Sequence, residues 1–367
     1  MTERRDQWRE HLPRARELHA STIVADMHSD IPTDVYRRRA RGEERGIERG
    51  SVFFGPVVRG SFVFGSRLRA GGVTAVGMAL NNDSFVGGMQ TDAALRRVVE
   101  MLDAMESEAA ESPDLAWTRS AAEIVSAAEQ GRLAMLVGLE GGAALGESLG
   151  TLRTLYRLGV RVVCLTWNYR NPIGDGVAEE HGGGGLTRFG VAAVKEMQRL
   201  GILVDVSHLT PRGVEQVLAV AERPIVASHS NARAYCPHRR NLSDAAIEGI
   251  ARTGGVVGVC FYPGFIDAEQ PSLERLLDHV DHIVRLVGDD HVAIGADFVD
   301  YMQEFIDERL AASGVYQGHS SVYPAELAGI DQIHNFTAGL LARGYSTESI
   351  TKILGRNFLR VCRDAIG

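Results

Sequence analysis

The sequence predicts an α/β protein, a (β/α)8 TIM-type barrel with a β-hairpin insertion after the first strand and extra C-terminal helices, as a single domain over residues 1–367. Three observations predict it. Eight short apolar runs recur along the chain, most of them separated by helix-patterned stretches. Several of the runs end in imidazoles or carboxylates. Alternating β and α signals point to a parallel sheet, and chemistry at strand ends is the habit of a closed barrel.

The runs are, in order, "STIVADMH" (21–28), "VTAVGMAL" (73–80), "LAMLVGLE" (133–140), "RVVCLTW" (161–167), "ILVDVSH" (202–208), "PIVASHS" (224–230), "GVVGVCFY" (255–262) and "VAIGADF" (292–298). They are nearly continuous in apolar residues rather than strictly alternating. That suits parallel strands covered on both faces.

Between them, "SLGTLRTLYRLG" (148–159) and "GVAAVKEMQRLG" (190–201) place apolar residues at helical spacing and stop at Gly. "TPRGVEQVLAVAE" (210–222) opens on Thr-Pro. "SDAAIEGIARTGG" (243–255) opens on a capping Ser. Residues 31–72 form the insertion, with "SVFFGPVVRGSFVFG" (51–65) as its hairpin and "YRRRARGEER" (Tyr36–Arg45) as a solvated loop. A long loop and the final helices are expected over 299–345. "STESITKILGRNFLRVCRDAI" (346–366) reads as a capped amphipathic helical segment.

Composition narrows the function. A net charge of −8 with no undiluted basic patch argues against nucleic acid as a partner. The four cysteines form no CxxC pair, and Cys164 and Cys260 sit inside apolar runs. No run reaches transmembrane length, and the charged N-terminus lacks an apolar leader core. The expectation is a cytoplasmic protein without membrane contact, with a homodimer as one allowed assembly.

The strand ends carry the chemistry. They supply His28 and Asp30 from the first run, Glu140 from the third, His208 from the fifth, His229 from the sixth and Asp297 from the eighth. Any one of these histidines taken alone reads as a hydrogen-bonded core residue. Their joint placement on one rim argues for a metal site instead, and His with carboxylates and no thiolate suits a catalytic Zn²⁺ or a related divalent ion. Five ligands exceed what one open zinc takes and match two ions sharing a carboxylate. Asp26 reads as a structural residue whose role the sequence leaves undecided.

These residues carry a resemblance. The chain resembles the membrane (renal-type) dipeptidase family of binuclear zinc peptidases, in the amidohydrolase-like barrel group. The likeness covers nearly the whole chain and is densest over 185–210, 224–244, 293–298 and 355–361. It implies that His28 and Asp30 bind one zinc, His208 and His229 the other, and that Glu140 bridges both. It implies that Asp297 handles the proton of the attacking water and passes it to the leaving amine. It further implies that Arg240, in "HRRN", binds a dipeptide's terminal carboxylate, with Trp167 and Asn241 completing the substrate-binding set.

Two places depart from the family pattern. "LTWNYRN" carries Trp167 where the family has a His that steadies the oxyanion, and an indole N–H donates without carrying a charge. In "DFVDY", Asp300 stands one place later than the family's second Asp. The implied function is hydrolysis of a dipeptide amide, L,D-dipeptides among them. The alternatives are hydrolysis of another small carboxylate-bearing amide, lactam or ester, and a non-catalytic relative that binds metal and ligand.

Overall fold

The protein is described here by a computed structural model covering residues 7–44, 64–83, 91–300 and 322–367. Nine strands are present among these residues: β1 (Ala25–Ser29), β2 (Ala75–Asn81), β3 (Leu115–Thr118), β4 (Leu133–Glu140), β5 (Val162–Cys164), β6 (Leu203–Asp205), β7 (Val226–Ala227), β8 (Val256–Val259) and β9 (Val292–Ile294). The sheet order is β2-β1-β9-β8-β7-β6-β5-β4-β3, and β2 also pairs with β4. Eight parallel strands therefore close into a ring, and β3 stands outside it. The expected barrel is present, and each of the eight apolar runs holds one ring strand.

β3 is the strand that the run pattern did not include. Leu115–Thr118 pair with Leu133–Leu136 at the start of β4, while β5 pairs with Gly138–Glu140 at its end. Four residues between Pro113 and Ser120 are too short a signal to separate from a turn.

Side-chain alternation divides the apolar residues into two clusters. One joins Ala25, Met27, Ala75, Ala134, Leu136, Leu203, Val226, Val256 and Ala293 with Phe358, Val361 and Cys362 of the last helix. The other takes the intervening residues, such as Val76, Met78, Leu80, Met135, Val137, Val204 and Val257, with the surrounding helices. The first is the barrel interior and the second the strand–helix layer, as a period of two requires. The last helix (Asn357–Ala365) plugs the N-terminal mouth. Arg360 donates to Gly254 O and Asp290 O, and Arg223 donates to Ala365 O.

Four of the helices begin where the sequence signals them. Ser148, Thr187, Thr210 and Ser243 each accept a hydrogen bond from a backbone N–H in the first turn. Gly201 ends its helix at φ 79°. Ser346 caps the C-terminal segment, which passes through a π-turn at Lys352–Arg356.

One expectation is corrected. Residues 36–44 of the presumed solvated loop belong to a helix, Ile31–Glu44. Two of its side chains reach across to the helix Thr91–Glu111: Tyr36 donates to Glu100, and Arg39 to Glu108 and Glu111. Most of the expected hairpin, 51–63, lies outside the described residues, and Phe64 and Gly65 open a helix, Phe64–Ala70. Residues 301–321 of the expected long loop also lie outside them, whereas a helix at His334–Ala342 is present. All four cysteines are free and buried. No described helix is long and apolar enough to cross a membrane.

Candidate metal centre

The carboxyl ends of five ring strands bring six ionisable side chains together. His28 lies in β1 and Asp30 directly follows it, beside a register shift between Asp26 and Ser29. Glu140 is the last residue of β4. His208 and His229 follow β6 and β7, and Asp297 follows β9. His208 and Asp297 are the two described non-glycine residues with positive φ, at 66° and 53°. Such backbone is strained for an L-residue and persists where the surroundings enforce it.

Three imidazoles face one carboxylate oxygen. The Nε2 atoms of His208, His28 and His229 lie 3.2, 3.5 and 3.8 Å from Glu140 Oε1. His28 Nε2 is also 3.9 Å from Asp297 Oδ1. Two donor groups are compact: ligand atoms of His28, Glu140 and His229, and of His28, Asp30 and Asp297, lie within 4.8 Å of one another.

The hydrogen bonds behind the rings set their tautomers. His208 Nδ1 is 2.9 Å from Asn168 Oδ1, an acceptor, so Nδ1 carries the proton. His229 Nδ1 is 2.7 Å from Ser228 Oγ, whose own proton goes to Asp205 Oδ2. Both Nε2 atoms therefore present lone pairs, and they stand 3.0 Å apart. Two acceptors cannot bond to each other. His28 Nε2 and Asp30 Oδ1 are buried with no hydrogen-bond partner. A divalent cation resolves all of these contacts, and neutral imidazoles with carboxylates are its ordinary ligands.

The electrostatics agree. Burial pushes the Glu140 and Asp297 carboxyls well above the usual range, with the neighbouring Asp30 charge adding to both, and burial raises Asp30 to about 6. Burial lowers His28 to about 3 and holds His208 and His229 well below an ordinary imidazole. Each group is driven toward neutrality by burial and crowding, a preference that a bound cation would invert.

Behind these groups lies a supporting layer of which the sequence singles out only Asp26. Asp26 Oδ1 accepts from His28 N and Ala296 N, tying β1 to the Asp297 loop. Asp205 Oδ1 accepts from Ser207 N and Ser228 N, tying the loops of His208 and His229. At the end of β2, Asn81 donates to Glu140 Oε2 at 2.7 Å. Asn82 bonds the backbone of Glu140, Gly141 and Ala144. Asp83 accepts from Ala143 N, Trp167 N and Asn171 Nδ2. Gly141 has φ 89°, and a Cβ there would meet the Asp83 carboxylate at 2.4 Å. The available signal was "NND", three polar residues in a row just past the apolar run of 73–80.

Arg240 is 2% exposed and forms no ion pair among the described residues. Its Nη2 donates to His229 O, its Nε is buried without a partner, and its Cζ lies 5.3 Å from the Phe265 ring. Its charge helps to depress His28, His208 and His229 and to draw Glu140 and Asp297 back down. Trp167 is buried with its ring 5.9 Å from that of His208, in an apolar cluster with Cys260, Tyr262, Phe265 and Val299. Asn241 uses both amide protons on Cys236 O and Phe265 O, and its Oδ1 accepts from Asn231 N. It braces the loop that carries Arg240. Asp300 pairs with Arg67 at 2.7 Å.

Comparison with known proteins places this geometry. The chain is 35% identical over 275 residues to a dipeptidase, verJ, of Clonostachys rogersoniana, covering 73% of this chain and 65% of that protein. It is 32% identical over 293 residues to a dipeptidase, tcpJ, of Claviceps purpurea (strain 20.1), covering 78% and 61%. It thus spans slightly less than two thirds of the length of these curated relatives. Among solved structures, a metallo peptidase from Rhodobacter sphaeroides, liganded with a phosphinate mimic of the dipeptide L-Ala-D-Ala, superposes with a TM-score of 0.76 at 25% identity, covering 94% of this chain and 99% of that one. The family model described as membrane dipeptidase (peptidase family M19) matches residues 12–366, and the chain belongs to that family.

Proposed function

We propose that this chain is a metal-dependent dipeptidase whose centre holds two divalent ions, zinc or a close relative, and which hydrolyses the amide bond of dipeptides, L,D-dipeptides included. The observation that carries the reading is the convergence of three imidazole Nε2 atoms on Glu140 Oε1, with Asp30 and Asp297 alongside. The dipeptidase names of the relatives and the L-Ala-D-Ala mimic bound by the Rhodobacter sphaeroides protein support the substrate class.

In this reading His28 and Asp30 would hold one ion and His208 and His229 the other, with Glu140 as the shared ligand. Ions held there supply Lewis acidity toward a carbonyl and toward water. The remaining chemistry belongs to the chain. Arg240, buried and with no ion pair among the described residues, takes the substrate's terminal carboxylate as a bidentate partner. That contact fixes the direction in which the amide lies. Asp297, on strained backbone at the rim, takes a proton from the attacking water and returns it to the leaving amine. Asn241 acts through the Arg240 loop rather than on the substrate, because its amide protons are already committed.

Trp167 favours a second reading of the substrate. Trp167 supplies an uncharged indole N–H where the family has an imidazole, and the apolar cluster around it suits a flat or apolar substrate group. A carboxylate-bearing amide, lactam or ester with such a group would then outrun simple dipeptides. The test loads purified protein with Zn²⁺ and measures turnover of matched L,L and L,D dipeptides, for wild type and Trp167→His. Turnover of the dipeptides supports the main reading. A rise in Trp167→His on small dipeptides supports a diverged substrate. No hydrolysis of any dipeptide by the metal-replete protein would discard the dipeptidase assignment.

A further inference from the structure

The end of β2 holds a residue that no ligand set includes. The register of β2 on β4 places Asn81 opposite Glu140. The alternation that turns Ala75 into the barrel also turns position 81 inward, as it does Ala134 and position 140 on β4. Asn81 is 3% exposed. Its Nδ2 donates to Glu140 Oε2 at 2.7 Å, and its Oδ1 is buried with no hydrogen-bond partner. Glu140 is thus the only polar contact of the Asn81 side chain among the described residues. A carboxylate that binds a cation accepts and does not donate, so this contact also settles which way the amide faces.

We propose that Asn81 is a positioning residue that locks the rotation of the Glu140 carboxylate and so sets the oxygen offered to the metal centre. The inference rests on the reading of Glu140 as a ligand. The terminal torsion of Glu is broad and nearly two-fold. Without a donor on Oε2, the carboxylate is free to turn. With it, Oε1 is held among the three Nε2 atoms at 3.2–3.8 Å. The backbone at Glu140 is fixed independently, by Asn82 bonding to Glu140 O and Gly141 O and accepting from Ala144 N. The two neighbours therefore divide the work: Asn82 places the chain and Asn81 aims the side chain. That division makes the role separable from folding.

The experiment replaces the donor by an apolar group of similar size, Asn81→Leu, with Asn81→Ala as the smaller alternative should Leu disturb the fold. Co²⁺ affinity is measured by chelator competition, the visible absorption of the Co²⁺ form is recorded, and the Tm of the metal-free protein is taken as the folding control. Glu140→Gln is measured in parallel. The expected result is a Co²⁺ affinity lower by about 10–100-fold, as for other residues that orient a ligand, an altered absorption band, and a metal-free Tm close to wild type. Wild-type affinity and spectrum in a folded Asn81 variant, with Glu140→Gln strongly weakened, would overturn the positioning role and leave Glu140 as a ligand. Wild-type affinity in Glu140→Gln would instead remove the ligand reading on which the proposal stands.

Discussion

The molecule buries histidine at two ends of its barrel, and the two sites are built differently. At the N-terminal face His19 is 3% exposed, and both ring nitrogens are satisfied, Nδ1 by Gly71 O at 2.8 Å and Nε2 by Thr337 Oγ1 at 2.7 Å. His334 lies 4.3 Å away ring to ring. At the C-terminal face the Nε2 of His28 has no partner, and those of His208 and His229 point lone pair to lone pair. Both sites depress the imidazole pKa through burial. What separates them is hydrogen-bond satisfaction: a structural histidine closes its own bonds, and a ligand is held open by its neighbours.

The largest effect expected from breaking this contrast is at Glu140. Glu140→Gln should abolish activity and most metal binding, because it removes the negative charge between the two ligand pairs. Elemental analysis after gel filtration, alongside turnover, checks both. Asp297→Asn should retain the metal yet lower kcat by about 10²–10⁴, the range for general acid–base catalysis. Retention of full turnover would take Asp297 out of the mechanism.

Arg240→Ala should act mainly on KM, since a carboxylate anchor binds ground and transition states alike. Steady-state kinetics on free and C-terminally amidated dipeptides measure it. The amidated substrate should lose its disadvantage in the variant, and an unchanged preference for the free acid would refute the anchor.

The smallest effect belongs to the other face. His19 has a folded pKa lowered to about 4 from 6.5 by burial and by His334. The unfolded chain therefore binds the proton more readily between those values, and stability contributed by the neutral, bonded ring is lost as pH falls from about 6.5 toward 4. His19→Asn should flatten the decline in Tm of the metal-free protein over that window and leave Co²⁺ affinity untouched. Loss of metal in this variant would erase the distinction between the two sites.

The barrel is legible because its strands are apolar runs, several of them ending in unusual residues, and four of its helices open on Ser or Thr caps. The site was legible at the level of His28, Asp30, Glu140, His208, His229 and Asp297, which the strand ends do bring together. What local pattern could not carry was pairing between distant segments. β3 is four residues long and recognisable only by its partner β4. Tyr36 and Arg39 look like part of a loop until the helix opposite supplies Glu100, Glu108 and Glu111. Asn81 sits one residue past the end of its apolar run, and its importance depends on the register that sets it against Glu140. Asn241 is among the residues the resemblance assigns to the substrate, and its amide protons go to Cys236 O and Phe265 O, contacts that local pattern does not reveal.

The central claim is that the open histidines and carboxylates of the C-terminal rim hold a pair of ions sharing Glu140. The most direct measurement is metal content per chain in protein titrated to full dipeptide turnover. The account predicts activity that rises to a plateau at two divalent ions per chain, with His19→Asn reaching the same stoichiometry. Full activity with at most one tightly bound ion per chain would contradict it.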